Sequence, residues 1–242
     1  MLNLDYLVTG TGRCGSVYMA RLLTSLGIPC SHEAIFNFKG LDWAKKVING
    51  DEILENSFCS KYDLLQNKPI ENWLNTNNVK AESSYMAAPY INDPMLANTK
   101  VIHVVRNPMK VISSHTKDID FFESGATEAW LNFVLSHMPE IRTIQNKIEK
   151  ACYFYVYWNK MIKTKAANAD YLLHQVEKGC DQNLLDFLGV QNQSSIFTDT
   201  TINSWKKRSE DLTIQDIPNG AIKDEFLELM NQYNYKIKKS MI

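Results

Sequence analysis

Short apolar runs alternate with amphipathic stretches along most of this chain. Leu4–Thr9 is a run of strand formers that ends at glycine, which predicts a buried strand. Met19, Leu22, Leu23 and Leu26 then recur at i, i+3, i+4 and i+7, one apolar stripe of a helix, with Gly27 as its stop. Ile28–Ser31 and Val79–Glu82 predict two further short strands. Lys100–Val105 (KVIHVV) predicts another buried strand, followed by a helix that holds Pro108 in its first turn, where the missing N–H is harmless. Glu128–Lys150 and Cys152–Ala167 predict two helices, Tyr171–Leu173 a strand, and Asn183–Leu188 a helix closed by Gly189. Ile222, Phe226, Leu229, Met230 and Tyr233 form a last helical stripe. Asn37–Asn78 is polar with scattered aromatics and weak periodicity, and reads as helices and loops around a substrate site. Strands that alternate with helices predict an α/β fold, a parallel sheet covered on both faces. There is no repeat, low-complexity segment or linker, so residues 1–242 read as one domain.

Composition narrows the function classes. Of 242 residues, 45% are hydrophobic and 22% charged, which is ordinary for a soluble globular chain. The net charge of −1 argues against broad electrostatic capture of nucleic acid but allows a local basic site. No apolar run is long enough to span a bilayer. The start, MLNLDYLVTGTG, lacks the basic residues and long apolar core of a signal peptide. Cys14, Cys30, Cys59, Cys152 and Cys180 are odd in number and scattered, which favours free thiols and a cytoplasmic location. His103, His115, His137 and His174 fit no metal-ligand spacing, so no metal is expected.

The first chemical motif is GTGRCGS at residues 10–16, between a predicted strand and helix. Gly10, Gly12 and Gly15 satisfy the GxGxxG dinucleotide pattern. The same glycines have Walker A spacing, but the Walker lysine would fall at Ser16 and its hydroxyl residue at Val17, so a nucleotide kinase would lack both phosphate and Mg²⁺ contacts. A third alignment sets GRCGSVY against a loop of the form [K/R]-S-G-T-[S/T], with Arg13 as the cation, Gly15 as the close backbone approach and Ser16 as the hydroxyl. All three readings put an anion at a helix start.

The second motif is VIHVVRNPMKVISS at residues 101–114. A strand that ends at Arg106 and a helix that begins at Pro108 allow the Arg106 guanidinium and the Ser114 hydroxyl to converge on one anion. V-V-R-N-P with serine eight residues after arginine resembles the 3′-phosphate motif of sulfotransferases that use 3′-phosphoadenosine 5′-phosphosulfate (PAPS). Tyr171–Val190, Tyr157–Ile162 and Asn231–Tyr235 resemble later segments of that family in the right order.

The resemblance implies a three-layer, P-loop-like α/β fold. It implies sulfuryl transfer from PAPS to a hydroxyl or amine acceptor (small molecule, glycan or peptide), with adenosine 3′,5′-bisphosphate as product. Gly12, Arg13, Cys14, Gly15, Ser16 and Val17 would then hold the 5′-phosphosulfate, and Arg106 and Ser114 the 3′-phosphate. Lys206, Lys207 and Arg208 match a late basic loop that closes over the donor, or else form a solvated surface. The glycosaminoglycan and protein-tyrosine members resemble this chain most, with a glutamate about twenty residues past the loop cation as base. Glu33 stands there, with His32 as the second candidate and Arg13 as catalytic cation. The other reading of Glu33 is a cap on a helix that begins at Ala34. Phe36, Phe38, Trp43 and Tyr85 can line an acceptor pocket or belong to the core. Cys14, Val17 and Ser83 depart from the family pattern, where hydroxyl, hydroxyl and lysine are usual. A P-loop nucleotide kinase, an NAD(P)-binding oxidoreductase and a nucleotide-binding relative without turnover are the alternatives.

Overall fold

A computed structural model describes residues 3–52, 79–123, 128–191 and 212–235. Lys206, Lys207, Arg208 and Cys59 lie outside the described residues. Five strands form one parallel sheet: β1 (Tyr6–Thr9), β2 (Cys30–His32), β3 (Ala81–Ser83), β4 (Lys100–Val105) and β5 (Tyr171–Gln175), in the order β2-β3-β1-β4-β5. Helices flank it: α1 (Ser16–Ser25), α2 (Gly40–Asn49), α3 (Pro108–Ser113), α4 (Glu128–His137), α5 (Lys147–Lys165), α6 (Gln182–Leu188) and α7 (Ala221–Gln232). Leu7, Val8, Ile102, Val104 and Val105 are buried, because a parallel sheet covered by helices leaves neither face to water. No helix among the described residues is long and apolar enough to cross a membrane.

The strand expectations hold to within two residues at each end. The helix expectations fail in one place. The predicted break near residue 151 is absent, and Ala151 and Cys152 are fully buried inside α5. The chain breaks earlier, between His137 and Lys147. Pro139 cannot continue α4, and the Asn146 side chain caps α5 by accepting from the N–H groups of Ile148 (2.9 Å) and Glu149 (3.2 Å). From there Cys152, Tyr155, Val156, Asn159 and Ile162 repeat at helical spacing on a buried face, joined by Phe154 and Trp158. This helix packs on α3 and α7. Burying each of its large apolar side chains contributes about 1.5–3 kcal/mol.

Parallel strands bring every following loop to one edge of the sheet. The chain leaves β1, β2, β3 and β4 on that edge, and the candidate residues stand in those four loops or just beyond them.

Candidate functional site

The loop between β1 and α1 is shaped by contacts that admit little variation. A Cβ on Gly10 would lie 2.2 Å from the Val104 carbonyl oxygen of β4, so no side chain fits. Gly15, at φ 97°, takes a left-handed conformation, and a Cβ there would meet Val176 Cγ2 at 2.8 Å. Arg13 is also left-handed, at φ 69°, which is uncommon for a residue with a side chain and marks a constrained turn. His115 donates from Nε2 to the Gly12 carbonyl at 3.0 Å and so pins the loop to the turn after α3. Burial among Phe121, Phe122 and Phe154 pushes His115 down to about 3, so it stays neutral. Among the described residues no side chain caps the N-terminus of α1, and no acidic residue stands in its first turn.

Arg13 Nε donates to Ser114 Oγ at 2.9 Å, and Arg106 Nη1 donates to the Arg13 carbonyl at 3.1 Å. The two motifs, 93 residues apart at Arg13 and Arg106, thus meet beside the start of α1. Burial lowers the Arg13 pKa first, and the Arg106 charge lowers it further, while Asp118 and Glu33 oppose the shift. Two guanidinium groups held this close to an uncapped helix start favour a multiply charged anion. The sequence reading gives Arg13 and Ser114 to opposite ends of a nucleotide, whereas here they touch.

Cys14 needs correction. Its thiol lies 2.7 Å from the Thr11 hydroxyl, is 2% exposed and is pushed up to about 11 by burial. Its N–H bonds to the Thr11 carbonyl at 3.3 Å. Both polar groups are engaged inside the loop, so Cys14 shapes the turn instead of offering a donor to a ligand. Val17 lies in the first turn of α1, half-buried, with no side-chain donor to offer.

Ser16 Oγ lies 2.9 Å from His32 Nε2, and Ser83 Oγ donates to the Ser16 carbonyl at 2.8 Å. These bonds tie the start of α1 to β2 and β3. Burial holds His32 down at about 4, which leaves it neutral and a weak base. Glu33 follows at φ 52°, with Oε1 3.9 Å from His32 Nε2. Its side chain retains 16% exposure. Burial pushes its pKa up to about 8, with repulsion from Glu82 adding to the rise and Arg13 opposing it. A carboxyl tuned into that range suits proton abstraction near neutral pH far better than His32 does.

No helix begins at Ala34, so Glu33 is not a helix cap; α2 starts at Gly40. Capping of this turn falls to Glu82, which the sequence shows only as the end of a predicted strand. Its Oε1 accepts from the N–H groups of Ala34 (2.9 Å), Ile35 (3.0 Å) and Phe36 (3.3 Å), and its Oε2 accepts from the Ser31 hydroxyl. Glu82 is fully buried, and desolvation raises it to about 7 against the pull of those donors. A glutamate inside a short apolar strand was the available signal, since such carboxylates are almost never buried unless satisfied.

The four aromatics separate. Phe36 is core, stacked on Tyr90. Phe38 is 45% exposed and meets Trp130 edge-on, and Trp43 lies under the Lys39 ammonium. Tyr85 packs against the glycine loop. Among the described residues no cluster of His, Cys, Asp and Glu could hold a metal ion.

No protein-family model matches this sequence, and no curated protein matches it. Among solved structures, the chain is similar to the sulfotransferase domain of the olefin synthase of Synechococcus PCC 7002, with a TM-score of 0.52. That likeness is 16% identical and covers 98% of both chains. The architecture, a parallel five-stranded sheet flanked by helices in a three-layer P-loop-like α/β arrangement, is therefore one that a sulfotransferase domain also uses.

Proposed function

We propose that this chain is a PAPS-dependent sulfotransferase that transfers a sulfuryl group to a hydroxyl or amine acceptor. One observation carries the reading: Arg13, Arg106 and Ser114 converge beside the uncapped start of α1. A donor with phosphate at both its 3′ and 5′ positions calls for two cationic contacts, one for each group. A nucleotide kinase would need a lysine where Ser16 stands, and a dinucleotide site leaves the Arg106–Ser114 pairing without a purpose. The full-length likeness to a sulfotransferase domain supports the same choice at the level of fold.

In this reading Arg13, Gly15 and Ser16 hold the 5′-phosphosulfate and Arg106 and Ser114 hold the 3′-phosphate, so the Arg13–Ser114 hydrogen bond opens as the donor enters. Glu33 takes the proton of the acceptor. The acceptor oxygen or nitrogen bonds to sulfur as the bond from sulfur to the 5′-phosphate oxygen breaks, and adenosine 3′,5′-bisphosphate leaves with that electron pair. Arg13 offsets the charge that collects on the leaving oxygen. Positioning and electrostatics supply most of the acceleration, as in phosphoryl transfer.

Calorimetry tests the donor site. Adenosine 3′,5′-bisphosphate should bind the wild type more tightly than AMP, ATP–Mg²⁺ or NAD. Arg106→Ala should weaken it by about 10- to 100-fold, the range for a charge-assisted hydrogen bond. Failure of the bisphosphate to bind, or equal binding of AMP, would remove the proposal.

A further inference from the structure

Resting on that sulfotransferase reading, we propose that the Tyr85 hydroxyl donates a hydrogen bond to an oxygen of the transferring sulfuryl group. Tyr85 opens the turn that follows β3 and is 7% exposed. Its hydroxyl oxygen is buried and has no hydrogen-bond partner among the described residues. A buried phenol without a partner is uncommon, because the desolvated O–H gains nothing in return. The position is also rigid. Ser84 caps the turn by accepting from Met86 N–H at 3.1 Å, and Trp158 Nε1 donates to the Tyr85 carbonyl at 3.3 Å. The Trp158 ring lies 6.1 Å from the Tyr85 ring, tilted by 51°.

The location points to the reacting centre. Ring atom Cδ1 lies 4.0 Å from the point where a Cβ on Gly12 would stand, so the phenol leans on the glycine loop. Its hydroxyl also lies within the field of the Glu33 carboxylate, without bonding to it. Tyr85 thus stands beside the loop that would hold the donor, with the Glu33 charge acting on its hydroxyl. Burial and the Glu33 charge keep its pKa well above the ordinary 10, so the group remains protonated and offers a donor. The sulfuryl oxygens are the anionic atoms that enter this space with the donor and are absent from the product nucleotide.

That last difference makes the test independent of any acceptor. Binding of PAPS and of adenosine 3′,5′-bisphosphate is measured for wild type and Tyr85→Phe, with thermal unfolding of both proteins. Tyr85→Phe should weaken PAPS by about tenfold or more, leave the bisphosphate within about twofold, and leave the unfolding temperature unchanged or higher. Unchanged PAPS affinity, or equal losses for both nucleotides, overturns the inference while the sulfotransferase reading stands. A wild type that binds neither nucleotide overturns both.

Discussion

Glu33→Gln separates the physical state of the proposed base from its chemistry. In the unfolded chain this carboxyl has its ordinary pKa of 4.5; in the folded protein burial and the Glu82 charge hold it at about 8. Between those values the folded protein keeps a proton that the unfolded chain has lost, so stability falls as pH rises across the window. At 1.36 kcal/mol per pH unit, the accumulated cost at pH 7 is about 3 kcal/mol. The 16% exposure of the side chain screens part of this, which leaves about 1–3 kcal/mol. Glutamine has the same shape and never ionises. The variant should therefore unfold roughly 3–10 °C higher than wild type near pH 7, at about 2–4 °C per kcal/mol for a chain of this size. Near pH 4.5 the advantage should disappear, because the wild-type group is then protonated in the fold. Scanning calorimetry of both proteins at about pH 4.5, 7 and 8.5 measures this. A temperature difference that is constant across pH, or a variant less stable at the highest pH, would rule out a raised Glu33 pKa as the cause. A base works when deprotonated, so the wild-type transfer rate should rise with pH and level off above about 8. The variant should bind the bisphosphate normally and transfer nothing.

Substitutions at Glu82 and Gly15 probe the frame around the site. Glu82→Ala removes the acceptor for three backbone N–H groups and the Ser31 hydroxyl; urea unfolding should show a loss of about 3–5 kcal/mol. Glu82→Gln should lose less, and by removing a negative charge beside Glu33 it should move the rising limb of the rate profile to lower pH. Gly15→Ala should cost about 1–3 kcal/mol in the same assay, since a left-handed φ and the Val176 methyl both oppose a side chain. Adding Val176→Ala should recover only the steric share, because the backbone strain persists.

Much of the fold was legible because secondary structure is written locally. The apolar stripe of α1 and the largely apolar run of β4, interrupted by His103, state their periods within a dozen residues. The gap between α4 and α5 was misread because apolar periodicity continued past it, while the deciding signals were single residues, Pro139 and Asn146. Site residues with a motif around them, such as Arg13, Arg106 and Ser114, could be named from spacing. Glu82 and His115 could not, because each works through a partner distant in sequence, Glu82 through the turn after Glu33 and His115 through Gly12; Tyr85 could be named only as a pocket or core aromatic, since its contact with the glycine loop is equally distant. Cys14 was misassigned for the converse reason, since its place in the motif says nothing about which way its thiol turns.

The glycines, the two arginines and the alternation of strand and helix point, from the sequence, to a strand–helix junction of a parallel sheet as the place of the proposed anion site. The sheet order β2-β3-β1-β4-β5 settles the rest. It sets β3 and β4 on either side of β1, and so brings Tyr85 and Arg106 to the glycine loop. Periodicity cannot reveal that arrangement, because strand pairing is decided by the collective burial of the whole sheet and not by any one segment.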